Sequence, residues 1–336
     1  MIKKAKSLLF PSRKNKDDQK KDTKVNDDAI EQFSGSDNEQ NDQLSPVKHN
    51  EPPLEELESL INLYSEGKFT KALSLINELL DQFPYSVDLY NVAGASNAGL
   101  KNFDASIRDY RQAIKINPDF ADAYNNIGNA FLGKGDLDEA IVNYKQAILI
   151  NPDYTEAYLN MGNALMDKGM LDEAIDNYKE AIRTNSNLAI TYYFIANALK
   201  IKGDLKNAIT NYKKAILLYP DYTEAYLNLG NILMDKGMLD EAIDNYKEAI
   251  KINPNYADAY NNMGNAFQVN GDLDKAIDNY KEAININPNY AEAYNNLGSA
   301  LRGKLELNDS INSFKRAIQL KPSYVDAYSN MGEALQ

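Results

Sequence analysis

This sequence contains few of the residue types that act as nucleophiles or general bases. The 336 residues contain no Cys and a single His, His49, which lies outside the regularly spaced region 53–336. A Ser-His-Asp or Cys-His catalytic arrangement therefore cannot form within that region. Carboxylates are numerous, but no pair is distinguished for general acid and base catalysis. We expect no catalytic residue and predict that the chain is not an enzyme.

Two short motifs superficially resemble ligand sites. Gly133-Lys134-Gly135 is followed by Asp136, so the further Gly-Lys-Ser/Thr of a phosphate-binding loop is missing. Asp136 and the acid two residues later lack the remaining ligands of a calcium loop. Asp136 and Glu139 instead have the spacing of a capping box that opens a helix. We therefore expect neither a cofactor nor a metal ion.

The spacing of seven prolines indicates which structural elements position these side chains. They are 34 residues apart, or twice 34 where Ser186 interrupts the series: Pro84, Pro118, Pro152, Pro220, Pro254, Pro288 and Pro322. A fixed period of this length indicates one helical hairpin repeated in tandem. Tyr124, Ile127 and Phe131, for example, follow the 3.6-residue period of a first helix.

The period divides the chain into a tail, eight full copies and the start of a ninth. Residues 1–52 are predicted to be a disordered polar tail, because they contain too few apolar residues for a core. The copies span 53–86, 87–120, 121–154, 155–188, 189–222, 223–256, 257–290 and 291–324. Residues 325–336 are predicted to be a partial repeat or capping helix, and we expect its uncovered apolar face to favour self-association.

These copies closely resemble the tetratricopeptide repeat. The family signature has aromatic residues at positions 4, 11 and 24, small residues at 8, 20 and 27, and Pro at 32. The third copy matches it with Tyr124, Gly128, Phe131, Ala140, Tyr144, Ala147 and Pro152. The resemblance covers 53–336 and implies an all-α, right-handed superhelical solenoid of 34-residue helix-turn-helix units. It also implies a protein-interaction scaffold that binds partners in its concave groove.

Charge narrows the class of partner. The formal net charge is −13, and residues 1–52 carry ten basic and ten acidic side chains, so the copies hold the whole excess. An acidic array is a poor match for the phosphates of nucleic acid. Acids also occupy position 2 of most copies, among them Asp122, Glu156, Glu224, Asp258 and Glu292. We expect a neutral or basic segment of a protein partner.

The first ten residues, MIKKAKSLLF, combine Lys with apolar side chains. Contact with an anionic membrane through residues 1–10 is one interpretation of them, and a solvated tail is the favoured one. The apolar run at 8–10 is too short for a signal-peptide core or a membrane span. With no Cys in the chain, we predict a cytoplasmic location.

Two rows of Asn are the predicted peptide-binding residues. They occupy positions 6 and 9, on the side of the first helix opposite the packing positions. The rows contain Asn126, Asn129, Asn160, Asn163, Asn197, Asn228, Asn231, Asn262, Asn265 and Asn296. An Asn amide has donors and an acceptor that match a peptide group. The rows are similar to those in the repeat arm of the O-linked N-acetylglucosamine transferases; the alternative is a neutral filler on a solvated face.

The fifth copy interrupts both rows with apolar residues. Ile190, Phe194 and Ile201 occupy positions 2, 6 and 13. Exposed apolar clusters with polar surroundings often mark binding sites, so we predict an apolar anchor here. The alternative is a repeat that has drifted from the consensus. A second function also stays open: a substrate-recruiting arm of a glycosyltransferase-like or sulfotransferase-like system whose catalytic domain is absent from this chain.

Overall fold

A computed structural model describes residues 51–336, which fall into two compact units divided between Gly169 and Met170. Within the described residues the regular structure is entirely α-helical. The predicted all-α class is therefore confirmed. The predicted disordered tail falls almost wholly outside the described residues, and residues 1–10, for which membrane contact was the less favoured interpretation, lie wholly outside them.

The first unit contains the helices of the first three copies and the first helix of the fourth. Their bounds are α1 Leu54–Ser65, α2 Phe69–Leu80, α3 Val87–Gly99, α4 Phe103–Ile116, α5 Ala121–Lys134, α6 Leu137–Ile150 and α7 Thr155–Asp167. Short turns join the two helices of a copy. The helices thus recur with the 34-residue period of the sequence.

The second unit continues the same pattern from the second helix of the fourth copy. Its helices are α8 Leu171–Thr184, α9 Ala189–Ile201, α10 Leu205–Leu218, α11 Thr223–Asp235, α12 Leu239–Ile252, α13 Ala257–Val269, α14 Leu273–Ile286, α15 Ala291–Gly303, α16 Leu307–Leu320 and α17 Val325–Ala334. The division into eight separate copies agrees with these bounds and stays a prediction as an assignment of domains.

Small residues allow the two helices of a copy to pack closely. A Cβ atom added at Gly264 on α13 would lie 2.6 Å from Cε1 of Tyr280 on α14, and the aromatic ring of Tyr280 is fully buried. Gly128 has the same relation to Tyr144, at 2.5 Å. Real Cβ atoms do not approach a ring this closely, so at Gly264 and Gly128 a larger side chain fits only if the ring shifts. The regular Tyr residues at position 24 are therefore core residues.

The turn between the helices of a copy uses a left-handed residue, as at Gly271, where φ is +81°. Glycine adopts this conformation without steric cost. In the eighth copy Leu305 takes its place with φ at +64°. The second helix then begins at a cap in several copies; the Asp136 side chain, for example, accepts a hydrogen bond from the backbone N–H of Glu139. The acid at this position therefore caps a helix, as predicted.

The described residues end with α17, and no second helix of its copy is among them. Val325 is 75% exposed, Tyr328 49% and Leu335 65%. Self-association through this end stays a prediction. Across the described residues, no helix combines the length and apolar character needed to cross a membrane.

Candidate functional site

We define the first-helix surface as the side of each first helix that carries positions 2, 6, 9 and 13. In the second unit, hydrogen bonds between Asn side chains join this surface from copy to copy. The Nδ2 of Asn262 donates to Oδ1 of Asn231 at 2.9 Å. The Nδ2 of Asn296 lies 3.1 Å from Oδ1 of both Asn261 and Asn265. An amide at position 6 thus binds the preceding copy at position 5, at position 9, or at both.

The Asn at position 9 also accepts a hydrogen bond from the buried Tyr of its own copy. The Tyr280 hydroxyl donates to Oδ1 of Asn265 at 2.8 Å, and the Tyr246 hydroxyl donates to Asn231 at 2.9 Å. These contacts connect the core to the first-helix surface. They also satisfy hydroxyl groups that burial would otherwise leave without a partner.

The first unit repeats this arrangement. The Nδ2 of Asn160 donates to Oδ1 of Asn125 at 3.0 Å, and the Tyr144 hydroxyl donates to Asn129 at 2.8 Å. Asn125 is a position-5 residue and is buried. Sequence analysis missed position 5, which is Asn in the second, third, seventh and eighth copies: Asn91, Asn125, Asn261 and Asn295. The only signal was that Asn recurred there at some of the 34-residue intervals.

The two Asn rows therefore form a bonded ladder in the second unit, and in the first unit one comparable bond joins Asn160 to the position-5 residue Asn125. An Asn side chain has two donor hydrogens and an acceptor oxygen with two lone pairs, so one or two internal bonds leave capacity for a ligand. Asn126 and Asn163 lie on the same surface and are partly exposed. The sequence analysis predicted that the Asn rows bind a peptide. The hydrogen bonds of the ladder give these side chains a structural role as well. Peptide binding by these residues stays a proposal.

Several carboxylates and one tyrosine lie around an open cavity in the first unit, next to position 2 of the first-helix surface. Asp122, Tyr154 and Glu156 line an open cavity of about 570 Å³ together with Asp119 and Asp153. Burial raises the pKa of Asp122 although the Tyr154 hydroxyl donates a hydrogen bond to it. Burial and the nearby charge of Asp122 raise the pKa of Glu156. Two carboxylates close together and partly removed from water make this cavity favourable for a positive charge.

The fifth copy differs from the others, as the sequence predicted. Ile190 and Ile201, on the first-helix surface of α9, are 43% and 63% exposed. Phe194 is partly buried, because its ring stacks on Tyr178 with the centroids 5.6 Å apart. The three predicted anchor residues therefore divide into two exposed aliphatic side chains and one ring that already packs on the preceding helix.

A chain of aromatic contacts extends from Phe194 through the second unit. The Tyr193 ring lies 6.0 Å from Phe194 and 4.8 Å from Tyr222, and Tyr222 lies 5.8 Å from Tyr219. We call Tyr178, Phe194, Tyr193, Tyr222 and Tyr219 the aromatic strip. Sequence analysis found Phe194 and missed the continuity of the strip. The available signal was Tyr219, which stands where most other copies have the Asn before Pro.

Comparison with known families identifies this repeated hairpin. The family model described as TPR repeat matches residues 100–135, 128–169, 196–237, 230–271, 269–304 and 305–336, and the one described as tetratricopeptide repeat matches 155–188. The chain belongs to the tetratricopeptide repeat family. The resemblance inferred from the sequence is therefore confirmed, while the similarity to the transferase arm stays an expectation.

Solved tetratricopeptide repeat structures are also similar to this chain. The structure of the APC/C hetero-tetramer Cut9-Hcn1 matches with a TM-score of 0.54 and 19% identity over 84% of this chain. This chain spans 55% of the length of the chain it matches there. MamA matches 49% of this chain at 31% identity and a TM-score of 0.47. YrrB, described as a TPR protein with an unusual peptide-binding site, matches 55% at 29% identity and a TM-score of 0.47. No curated protein matches significantly.

Proposed function

We propose that this tetratricopeptide repeat protein is a non-enzymatic, cytoplasmic scaffold whose first-helix surface binds a segment of a protein partner. The segment is an extended peptide or a helix that is neutral or basic. The observation that carries the proposal is the acidic edge of this surface. Asp122 and Glu156 have raised pKa values, and in the described part of the chain no Lys or Arg side chain forms an ion pair with either.

Charge complementarity follows from this observation. A Lys or Arg side chain of a partner placed in the cavity between Asp122 and Glu156 favours the ionised form of both carboxyls and offsets their mutual repulsion. The second unit has acids at the same position in Glu224, Asp258 and Glu292. The Tyr290 hydroxyl donates to Asp258, which orients that carboxylate. A basic segment thus meets fixed acceptors in successive copies.

The Asn ladder supports the same function in a second way. Its amides are held in place by bonds between copies, as at Asn262 and Asn231. Ligand groups that bind an already ordered side chain incur less loss of conformational entropy than those that must order it. The remaining donor and acceptor positions of the ladder suit the backbone of an extended chain. We therefore assign backbone recognition to the Asn rows and charge recognition to the acids.

Peptide display on the immobilised full chain tests the proposal with a matched pair of variants. Glu224→Lys with Glu292→Lys reverses two acids on the first-helix surface. Asp240→Lys with Asp309→Lys reverses two acids on second helices. All four acids are exposed and lie in the first turn of their helices, so net charge and helix effects are equal.

We expect the wild type to select neutral or basic peptides and the first variant pair to lose the basic ones. The second pair should select the same basic peptides as the wild type. Equal loss in both pairs would show that the selection reports net charge rather than a site. Equal retention in both pairs would show that the first-helix surface does not bind the peptide, and the proposal would be wrong.

A recruiting role for a separate transferase is the second candidate function, favoured only by the Asn rows on the first-helix surface. It differs from the scaffold in one measurable respect. The full chain should increase the rate at which a glycosyltransferase or sulfotransferase modifies a bound substrate, and it should transfer no sugar or sulfate by itself. A rate that is unchanged in the presence of the chain would exclude this role for that enzyme.

A further inference from the structure

The second helix of the fifth copy, α10, differs in charge from the second helices of the copies before and after it. The fifth copy carries five Lys and two Asp, whereas the fourth and sixth copies each carry three basic and six acidic residues. The sequence of α10, LKNAITNYKKAILL, contains no acid. Four acids of α8 and of α12 are replaced in α10 by Lys206, Asn207, Thr210 and Lys214. The repeated acidic pattern of the second helices is therefore reversed in α10.

Five exposed side chains of α10 form what we call the α10 outer face: Lys206, Thr210, Lys213, Lys214 and Leu217. At about 100° per residue, all but Lys214 lie within about 60° of one another around the helix axis, and Lys214 lies beside them. Lys206 and Lys213 are two turns apart, roughly 11 Å along the helix. The face is separate from the first-helix surface, because it lies on the second helix of the copy.

The lysines of this face lack ion pairs that equivalent lysines form. In α12 the Nζ atom of Lys247 lies 3.2 Å from Oδ1 of Asp244, one turn earlier. Lys213 has the same position in α10, but Thr210 replaces the acid. In the part of the chain that the structure describes, no lysine of the α10 outer face forms an ion pair. These charges are therefore available to a ligand.

An ion-pair ladder between copies is also interrupted at α10. Elsewhere the Lys at position 14 pairs with the acid at position 18 of the preceding copy, as where Lys304 Nζ lies 2.5 Å from Oδ1 of Asp274. Lys206 replaces this acid, so Lys236, at position 14 of the sixth copy, has a Lys where an acid would pair with it. Lys206 also lies in the first turn of α10, where the helix dipole favours acids. A ligand carboxylate beside Lys206 would offset both unfavourable interactions.

The acid closest in sequence to this face is already engaged at the start of the helix. The side chain of Asp204 accepts hydrogen bonds from the backbone N–H and the Nδ2 of Asn207, at 3.2 and 2.7 Å. These bonds lower the pKa of Asp204, and the charges of Lys202 and Lys206 lower it further. Asp204 thus caps α10 and leaves the lysines two turns later without an acid partner.

We propose that the α10 outer face binds an acidic helical segment of a partner protein. Carboxylates two turns apart on the segment pair with Lys206 and Lys213. A bulky apolar side chain of the segment contacts Leu217, which is 78% exposed, and Tyr219, which is 52% exposed and follows the end of α10. Charge complementarity carries the proposal. The chain then has two binding surfaces of opposite charge preference, because the first-helix surface binds a neutral or basic segment.

The surroundings of the face favour a short protein segment over nucleic acid. Lys213 shares a cavity of about 260 Å³ with Glu241 and Asp244 of α12. Acids at the equivalent positions of α8 precede the face in the same way. These acids repel a phosphate chain that extends beyond α10. The exposed Leu217 and Tyr219 provide apolar contacts that suit an aliphatic or aromatic side chain.

Display of random 16-residue peptides on the immobilised full chain tests the inference. The wild type should select acidic peptides with a bulky apolar residue as a class separate from the neutral or basic peptides. Lys206→Asp with Lys214→Glu introduces the residues that the fourth and sixth copies have at these positions. In fluorescence anisotropy this variant should bind a selected acidic peptide at least tenfold more weakly, because two attractions become repulsions. It should melt no lower than the wild type, since Lys206→Asp gives Lys236 an acid partner.

Matched controls separate the face from net charge and from helix exposure. Lys281→Glu with Lys315→Glu makes the same change in net charge at exposed lysines of α14 and α16, and it should leave the affinity unchanged. Leu217→Gln should weaken the acidic peptide at least fivefold without any change in charge. Leu149→Gln, at the same position of the third copy and 73% exposed, should leave the affinity unchanged.

Several results would overturn the inference. Selection of no acidic peptide would do so, and so would equal weakening by the two lysine pairs or unchanged affinity in Leu217→Gln. Without selection of acidic peptides, loss of binding to a 20-nucleotide single-stranded DNA in Lys206→Asp with Lys214→Glu would assign the face to nucleic acid. Loss of self-association in sedimentation by that variant would assign it to a second copy. Display that selects only neutral or basic peptides defeats this inference alone, and display that selects only acidic peptides defeats the proposed function alone.

Discussion

Replacing Gly264 with Ala tests the close packing between α13 and α14. The added Cβ atom would lie 2.6 Å from Cε1 of Tyr280 and 2.8 Å from its Cδ1, whereas ordinary contacts are about 3.4 to 4 Å. The ring must therefore withdraw by roughly 1 Å. It cannot do so freely, because Tyr280 is fully buried and its hydroxyl oxygen lies 2.8 Å from the amide oxygens of both Asn265 and Gln268, either of which can accept its one hydrogen.

The expected magnitude combines opposing effects. Ala in place of a helical Gly stabilises by about 1 kcal/mol. Overpacking of a filled core costs about 1 to 3 kcal/mol, and weakening the hydroxyl contacts costs about 1 kcal/mol more. We therefore expect Gly264→Ala to lower the free energy of unfolding by about 1 to 3 kcal/mol.

Gly332 is the matched control, since it has position 8 of the first helix of the ninth copy, α17, and the described residues contain no second helix of that copy. A Cβ atom added there has no neighbour within 4 Å. Gly332→Ala should therefore raise stability by up to about 1 kcal/mol, through the helix preference of Ala. The two variants thus differ in sign although the substitution is the same.

Urea unfolding of the full chain, followed by far-UV circular dichroism, measures both variants. Midpoints are compared rather than extrapolated free energies, because long repeat arrays depart from two-state behaviour. Amide hydrogen exchange in α13 and α14 should locate the loss in Gly264→Ala to the seventh copy. If both variants were equally stable or both were stabilised, ring packing would not explain the glycine at position 8.

Three further predictions concern single side chains. Leu305→Gly should raise the melting temperature, because the left-handed backbone at Leu305, with φ at +64°, costs a leucine about 1 to 2 kcal/mol of strain. Leu305 is 81% exposed, so the substitution loses little buried surface. Lys304→Gly is the control and should lower the melting temperature, because φ at Lys304 is an ordinary −88° and there is no strain to relieve. Asn296→Ala should lower the free energy of unfolding by about 1 to 3 kcal/mol, because two hydrogen bonds at 3.1 Å are lost. Asn285→Ala, at an exposed site, is the control and should leave the free energy of unfolding unchanged. Glu156→Gln should raise the melting temperature at pH 7.

The pH dependence of the last variant follows from the raised pKa of Glu156. The native carboxyl holds its proton to a higher pH than the unfolded one, so stability falls as pH rises through the interval between the two pKa values. Gln carries no charge at any pH. The advantage of Glu156→Gln should therefore disappear below the ordinary Glu pKa of about 4.3. An advantage that persists at pH 3 would assign the effect to packing.

Stability measurements on Asn296→Ala also decide how the Asn rows divide their roles. From the sequence alone, we expected the Asn rows to bind a ligand and not to contribute to the stability of the fold. The contacts between copies predict that they contribute to both. If Asn296→Ala leaves the free energy of unfolding unchanged, water replaces these hydrogen bonds. The Asn rows would then have a role in ligand binding only.

The sequence by itself determined the local elements of this protein. Apolar residues at a 3.6-residue period fix the helices, and Gly at φ near +80°, as at Gly271, fixes the turns. These features depend on neighbours along the chain, so the period of 34 was sufficient to predict them. The family signature placed Gly264 and Tyr280 in one hairpin, and the structure showed that they are in contact.

Only the tertiary structure decided which polar and aromatic side chains meet across copies. Asn296 binds Asn261, 35 residues earlier, and Phe194 stacks on Tyr178 of the preceding helix. A helical wheel gives the direction of each side chain but not the offset and rotation between neighbouring hairpins. That geometry turned two rows of amides into a ladder and extended one predicted ring into the aromatic strip.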